Sequence, residues 1–199
     1  MIAILICIAA YLLGSVSFSY LIARIVKKID IRDHGSGNAG ATNTLRVLGT
    51  GPAIAVLSLD VVKGILAVWL GYWFSSEPIV PFLAGICAII GHNWPVYFGF
   101  RGGKGVATTI GVFATLAFLP SLYAGIIAIL SIFITRFVSL GSLIFVVLTP
   151  AFIFLLGGYP ASYIWLGTIL AVVSVWRHRT NVKRLVSGTE SKLGQKVEQ

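Results

Sequence analysis

Seven apolar stretches run along the chain, each closed by a short polar or proline-containing break: residues 2–26, 52–74, 79–98, 106–119, 121–135, 143–156 and 161–176. The breaks include Lys27-Lys28, Ser75-Ser76-Glu77-Pro78, Pro120 and Gly157-Gly158-Tyr159-Pro160. A helix needs about 20 apolar residues to cross a bilayer, so the pattern predicts seven transmembrane helices, the fourth to sixth being short enough to need tilting or flanking buried loops. The opening run MIAILICIAAYLL lacks the positive segment of a signal peptide and stays apolar past Tyr20, so it reads as a retained first span.

Composition agrees. Of 199 residues, 57% are hydrophobic and only 11% charged, with a mean hydropathy of +0.95. An ordinary soluble domain is about one quarter charged, so a soluble core and intrinsic disorder are both excluded. The expected fold is an all-α integral membrane protein, one domain over 1–199, a bundle of seven transmembrane helices with a loose cytoplasmic tail from about residue 188. Cys7 and Cys87 lie inside apolar runs and suggest neither a disulfide nor a zinc site.

The charges are one-sided. There are 15 basic against 6 acidic residues, a net of +9. With seven spans, Lys27, Lys28, Arg32, Arg46, Arg101, Lys104, Arg136, Arg177, Arg179, Lys183, Arg184, Lys192 and Lys196 all fall on one face, and the opposite loops carry no Lys or Arg. The positive-inside rule then places the N-terminus outside and the C-terminus in the cytoplasm. In a membrane protein this excess points to anionic lipid or anionic substrates and not to nucleic acid.

The unusual polar sequence sits on that same face. The first loop, HGSGNAGATNTLR, puts Gly35, Gly37 and Gly40 among Ser36, Asn38, Thr42 and Asn43 and ends on Arg46. Glycine lets successive N–H groups turn into one concavity, and arginine offers a fork suited to phosphate. The competing reading is a flexible linker. The match to a dinucleotide fingerprint lacks the strand it requires. In the second loop, GHNWPVYFGFRGGKGVATT, Gly102, Gly103 and Gly105 surround Lys104, with Thr108 and Thr109 at the head of the fourth apolar segment. A helix N-terminus beside a lysine is a natural anion site. Trp94, Tyr97, Phe98 and Phe100 fit an interfacial aromatic belt equally well, and His92 and Asn93 fit packing or substrate contact. Ser139 and Ser142 lie near the head of the sixth segment. In the C-terminal run RHRTNVKRLVSGTESK, His178 and Asn181 are not charge anchors. Asp60 and Lys63, three residues apart inside the second span, can pair, or Lys63 can reach a phosphate.

Several chemistries are absent. There is no Gly-x-Ser-x-Gly elbow, no exposed cysteine nucleophile, no zinc spacing, no paired aspartates for magnesium, and no His-x4-Asp acyltransferase signature. Neutral and cationic donors remain. They suit direct transfer from a substrate that brings its own leaving group, and they suit an anion carrier too.

HGSGNAGATNTLR, DVVKG, GHNWPVYFGFRGGKGVATT and HRTNVKR together resemble the bacterial acyl-phosphate:glycerol-3-phosphate acyltransferase (PlsY) family, over essentially the whole chain. The resemblance implies a multi-pass enzyme of the bacterial inner membrane with its active site on the cytoplasmic face, using no metal and no cofactor. It implies acyl transfer from acyl-phosphate to the 1-hydroxyl of glycerol 3-phosphate without an acyl-enzyme, releasing lysophosphatidic acid and phosphate. Ser36, Gly37, Asn38, Thr42 and Asn43 would hold phosphate. Arg46 and Lys104 would grip glycerol 3-phosphate, and Ser142, His178 and Asn181 would complete the acyl-phosphate site. Gly102, Gly103, Thr108 and Lys63 are added as further phosphate contacts, and a monomer is expected. The acceptor proton would pass to the acyl-phosphate itself or to His178. The alternative activity is a small transporter for phosphate-containing solutes, which the absence of charge in the outer half of the spans disfavours.

Overall fold

The computed structural model describes residues 1–195 and is helical throughout. Among these residues ten α-helices follow in order: α1 (Ile2–Gly14), α2 (Phe18–Lys27), α3 (Ala41–Leu48), α4 (Thr50–Phe74), α5 (Val80–Asn93), α6 (Val106–Leu116), α7 (Phe118–Thr135), α8 (Val138–Leu156), α9 (Ala161–Arg177) and α10 (Arg179–Val186). All seven predicted apolar segments are helical. Five segments are long and apolar enough to cross a membrane: Ile2–Lys27, Thr50–Phe74, Val80–Phe98, Phe118–Thr135 and Val138–Leu156. Val106–Leu116 and Ala161–Arg177 are apolar but shorter. Large side chains such as Phe133 (83% exposed) and Leu155 (70%) have no protein cover, which water would not tolerate on this scale and lipid favours. The chain is a multi-pass membrane protein.

Four boundaries differ from the sequence pattern. The first segment is two helices, interrupted at Ser15–Ser17, where Ser15 N–H and Oγ both donate to the Tyr11 carbonyl, the latter at 2.8 Å. The break before α7 lies at Ala117 and not at Pro120, which sits in the first turn of α7 where its missing N–H has no partner to lose. α8 begins at Val138, five residues earlier than predicted, and so becomes a full-length span. The first basic loop and the C-terminal basic run contain short helices, α3 and α10, that hydrophobic patterning did not announce.

The chain forms two compact units, Met1–Leu116 and the unit beginning at Ala117. In the first, α1 packs on α5, and α4 on both α5 and α6. The seams are lined by glycine. A Cβ on Gly14 would strike the Ala88 backbone, one on Gly91 the Tyr11 carbonyl, one on Gly64 the Thr108 carbonyl, and one on Gly111 the Val61 carbonyl. Apolar side chains gain little from packing together when the solvent is itself hydrocarbon, so small residues that admit close backbone approach hold such helices. In the second unit α8 packs on α7 and α9. Gly141 of α8 lies against Ile132 and the Ala128 carbonyl of α7.

Where the stretch expected as a loose tail is described, up to residue 195, it carries contacts to the rest of the second unit. Leu193 N–H donates to the Arg136 carbonyl at 2.7 Å, Arg136 Nη2 returns a bond to the Leu193 carbonyl at 2.9 Å, and Glu190 is buried. Lys196, counted among the one-sided cations, lies outside the described residues.

Replacing Gly64 by Val should force α4 and α6 apart. The expected cost is about 1–3 kcal/mol, seen as a lower Tm of the purified protein in detergent. An unchanged Tm would show that this seam does not need glycine.

Candidate active site

The first basic loop leaves α2 through Lys28, whose φ of 58° turns the chain. Asp30 then grips Arg32 with both oxygens, Nε to Oδ1 at 2.9 Å and Nη2 to Oδ2 at 2.7 Å, and also accepts the Arg32 N–H at 3.0 Å. The Arg32 side chain holds the Asp30 carboxyl below the usual carboxylate range, against the effect of burial. The remaining arm of Arg32 reaches the second loop, Nη1 donating to the Phe98 carbonyl at 2.7 Å.

Asn43, on the first turn of α3, shapes the glycine-rich stretch. Its Oδ1 accepts the Ser36 N–H at 2.8 Å, and its Nδ2 donates to the carbonyls of Ile31 and His34 at 3.1 and 3.0 Å. Gly35 has a φ of +60°, and a Cβ there would strike Asn43 Oδ1, so only glycine fits this turn. Ser36 and Gly37 are exposed at the loop surface. Asn38, Thr42 and Arg46 are half-buried, with Arg46 in the last turn of α3.

The second loop is laid on the first. Gly103 N–H donates to the His92 carbonyl at 3.1 Å. A Cβ on Gly103 would strike both His92 Nε2 and the Ala39 carbonyl, and one on Gly102 the His92 carbonyl. The Tyr20 and Phe98 rings meet at 4.8 Å. Lys104 follows, half-buried, and α6 begins two residues later. The first unit therefore gathers Ser36, Gly37, Asn38, Thr42, Arg46, Gly102, Gly103 and Lys104 onto two loops that pin each other in place.

Three predicted contacts have a different place from the one expected. Asn43 is 1% exposed and spends its amide inside the loop. Thr108 is fully buried, its carbonyl against Gly64 of α4. Lys63 is 1% exposed, and its ammonium is taken by Asp60 Oδ1 at 2.7 Å and the Val16 carbonyl at 2.9 Å. Of the two alternatives for Lys63, the structure shows the pair. His92 and Asn93 are both buried at the end of α5, beneath the second loop.

The second unit holds the remaining candidates. His178 lies at the junction of α9 and α10, 2% exposed, its Nδ1 at 2.8 Å from the Ser174 carbonyl. A carbonyl oxygen can only accept, so this contact places a proton on Nδ1 and makes Nε2 the basic nitrogen of the neutral ring. Asn181 Nδ2 donates to Glu190 Oε1 at 2.7 Å, as does Ser139 Oγ, and Arg184 Nε donates to Glu190 Oε2 at 2.7 Å. Ser142, one turn after Ser139, bonds the Val138 carbonyl through its Oγ at 2.9 Å. Sequence reasoning missed Glu190. Its one signal was an acid standing alone among Lys183, Arg184 and Lys192.

The model of the family described as glycerol-3-phosphate acyltransferase matches residues 4–188. The chain belongs to this family. Its relatives include glycerol-3-phosphate acyltransferases of Shouchella clausii, 66% identical over 191 residues (94% of this chain, 93% of that protein), and of Halalkalibacterium halodurans, 60% identical over 205 residues (98% and 97%). The crystal structure of PlsY, an integral membrane glycerol 3-phosphate acyltransferase, in its glycerol 3-phosphate form superposes with a TM-score of 0.90 at 36% identity, covering 96% of each chain. Its lysophosphatidic acid form gives 0.87 at 35% identity, covering 96% of this chain and 95% of that one. The resemblance drawn from the loop motifs is thus borne out at the level of family.

Burial pushes the Glu190 carboxyl up, but the bonds from Arg184, Ser139 and Asn181, with the Arg184 charge, outweigh it and hold the group below its ordinary range. A carboxyl that titrates lower when folded stabilises the fold above its unfolded value and loses that contribution as pH falls through the folded one. Wild type should therefore exceed Glu190→Gln in Tm at neutral pH, with the gap closing on acidification below the ordinary carboxylate range. A gap independent of pH would show that the carboxylate charge is not what holds the tail.

Proposed function

We propose that the protein transfers a fatty acyl group from acyl-phosphate to the 1-hydroxyl of glycerol 3-phosphate, producing 1-acyl-glycerol 3-phosphate (lysophosphatidic acid) and inorganic phosphate. The observation that carries the reading is the whole-length likeness to PlsY in forms with glycerol 3-phosphate and lysophosphatidic acid, an acceptor and its acylated counterpart. The two pinned loops support it, since they offer what phosphorylated reactants need: turned backbone, small polar side chains, and the cations Arg46 and Lys104.

In this reading the oxygen of the acceptor hydroxyl attacks the acyl carbonyl carbon. The ester C–O bond forms, the C–O bond to phosphate breaks, and phosphate departs with the bonding pair. No acyl-enzyme intervenes, because acyl-phosphate is already activated. The hydroxyl proton passes to a phosphate oxygen or to Nε2 of His178. Arg46 and Lys104 hold the acceptor and offset negative charge that grows in the transition state. Ser36, Gly37, Asn38, Thr42, Gly102 and Gly103 present phosphate donors, while Asn43, Thr108 and Lys63 support them from within. Ser142, His178 and Asn181 serve the acyl-phosphate. An apolar groove of about 460 Å³ between α8 and α9, lined by Val147, Pro150, Phe154, Ile164, Thr168 and Val172, supports the reading with apolar space in the second unit.

The same reading takes all seven apolar helices as spans of a monomer in the bacterial inner membrane, N-terminus outside, with the basic loops cytoplasmic. The shorter helices α6 and α9 would cross with the help of their flanking loops.

Purified protein in detergent should release phosphate only when both acyl-phosphate and glycerol 3-phosphate are present. Lys104→Ala and Arg46→Ala should each lose about 2–4 kcal/mol of transition-state stabilisation in kcat/KM; near-normal values would remove that residue from the site. The pH–rate profile of His178→Gln decides the proton's route. A drop of about 10² or more in kcat with KM preserved assigns the proton to His178, and a retained rate assigns it to the substrate.

A further inference from the structure

The pair Asp60–Lys63 stands out as charge in a place where charge is costly. Both side chains are at most 2% exposed, in the middle of an otherwise apolar α4. Replacing a buried ion pair by well-packed apolar residues is often neutral or stabilising, so stability alone does not account for it. The pair's contacts lead elsewhere. Lys63 Nζ caps the Val16 carbonyl, which the interruption between α1 and α2 leaves without a helical partner, and sits 5.5 Å from the ring of Phe18 at the head of α2. Asp60 Oδ1 lies 3.5 Å from His92 Nδ1. His92 is the platform of the second loop: its carbonyl accepts the Gly103 N–H at 3.1 Å, and its Nε2 lies so near Gly103 that no Cβ fits. Lys104 is the next residue.

We propose that Asp60, braced by Lys63, is a positioning residue: through the His92 ring it sets the backbone of residues 102–104 and hence the Lys104 ammonium. The inference rests on the reading of Lys104 as the cation that grips glycerol 3-phosphate. The His92 carbonyl and ring both meet Gly103, the residue before Lys104, so the placement of the ring bears on the backbone from which the lysine side chain leaves. A misplacement of about 1 Å at a reacting group costs up to about 10²-fold in rate. Asp60 thereby links two features that are far apart in sequence, the interruption at Ser15–Ser17 and the Lys104 loop.

The test uses the full-length protein in detergent with acyl-phosphate and glycerol 3-phosphate, reading kcat/KM for glycerol 3-phosphate alongside Tm. D60N and the apolar double variant D60L/K63M should each lose about 10- to 100-fold while still folded, the double variant at a lower Tm because K63M leaves the Val16 carbonyl without its donor. In a cycle with K104A, D60N should add little to the loss, because the two changes remove one interaction. Wild-type kcat/KM in a folded D60L/K63M overturns the proposal, as does a D60N/K104A loss equal to the product of the separate losses. Failure of both D60N and D60L/K63M to fold overturns it too, in favour of a scaffold role. K104A with normal activity fails the underlying reading of Lys104 instead, an outcome the Asp60 variants do not produce.

Discussion

Hydrocarbon offers no partner to a peptide group, and each one left unsatisfied costs several kcal/mol. The first unit nevertheless interrupts its opening helix at Ser15–Ser17. It does so by bringing an ammonium to the exposed carbonyl of Val16 and a carboxylate to the ammonium. One polar contact thus calls for the next, inward from the first helix to α4 and from α4 to His92 on α5. The close helix seams around it follow from the same scarcity of partners. Where burying apolar surface gains little, backbone must meet backbone, and glycine at 14, 64, 91 and 111 permits it.

The two units hold their polar ends by different means. In the first, backbone carbonyls and glycines do most of the fastening: Phe98 receives Arg32, His92 receives Gly103, and Ala39 lies against Gly103. The side chain of Asn43 closes the first loop from inside. That economy leaves the exposed Ser36 and Gly37 and the half-buried Arg46 and Lys104 toward the loop surface. In the second, one carboxylate gathers Ser139, Asn181 and Arg184 and draws the tail over the start of α8. A lone acid among cations is a strong organiser because both of its oxygens find donors.

The candidate chemistry follows from what such ends can supply. Neutral and cationic donors stabilise phosphate and the charge of a leaving group, and they provide no nucleophile. A donor that arrives already activated suits this equipment, which is why acyl-phosphate is the reading favoured above.

Much was legible along the chain because hydrophobic length is a one-dimensional property. Seven apolar runs and a one-sided charge pattern needed no knowledge of contacts, and the glycine-rich basic loops carried their family resemblance in consecutive residues. Boundaries set by local competition were less legible. Pro120 looked like a stop and is a first-turn residue, and the opening run looked continuous and is broken where the backbone turns extended at Ser17. Contacts between distant residues were not legible at all. Only the folded chain decided that Asn43 fastens a loop, that Lys63 answers Val16 forty-seven positions away, and that Glu190 ties down a tail that composition alone would leave loose. Patterning is set by the solvent each residue must meet, which the sequence states directly. The partner of a buried polar group is set by whichever donor or acceptor the other helices bring within about 3 Å, and that is known only once the helices have packed.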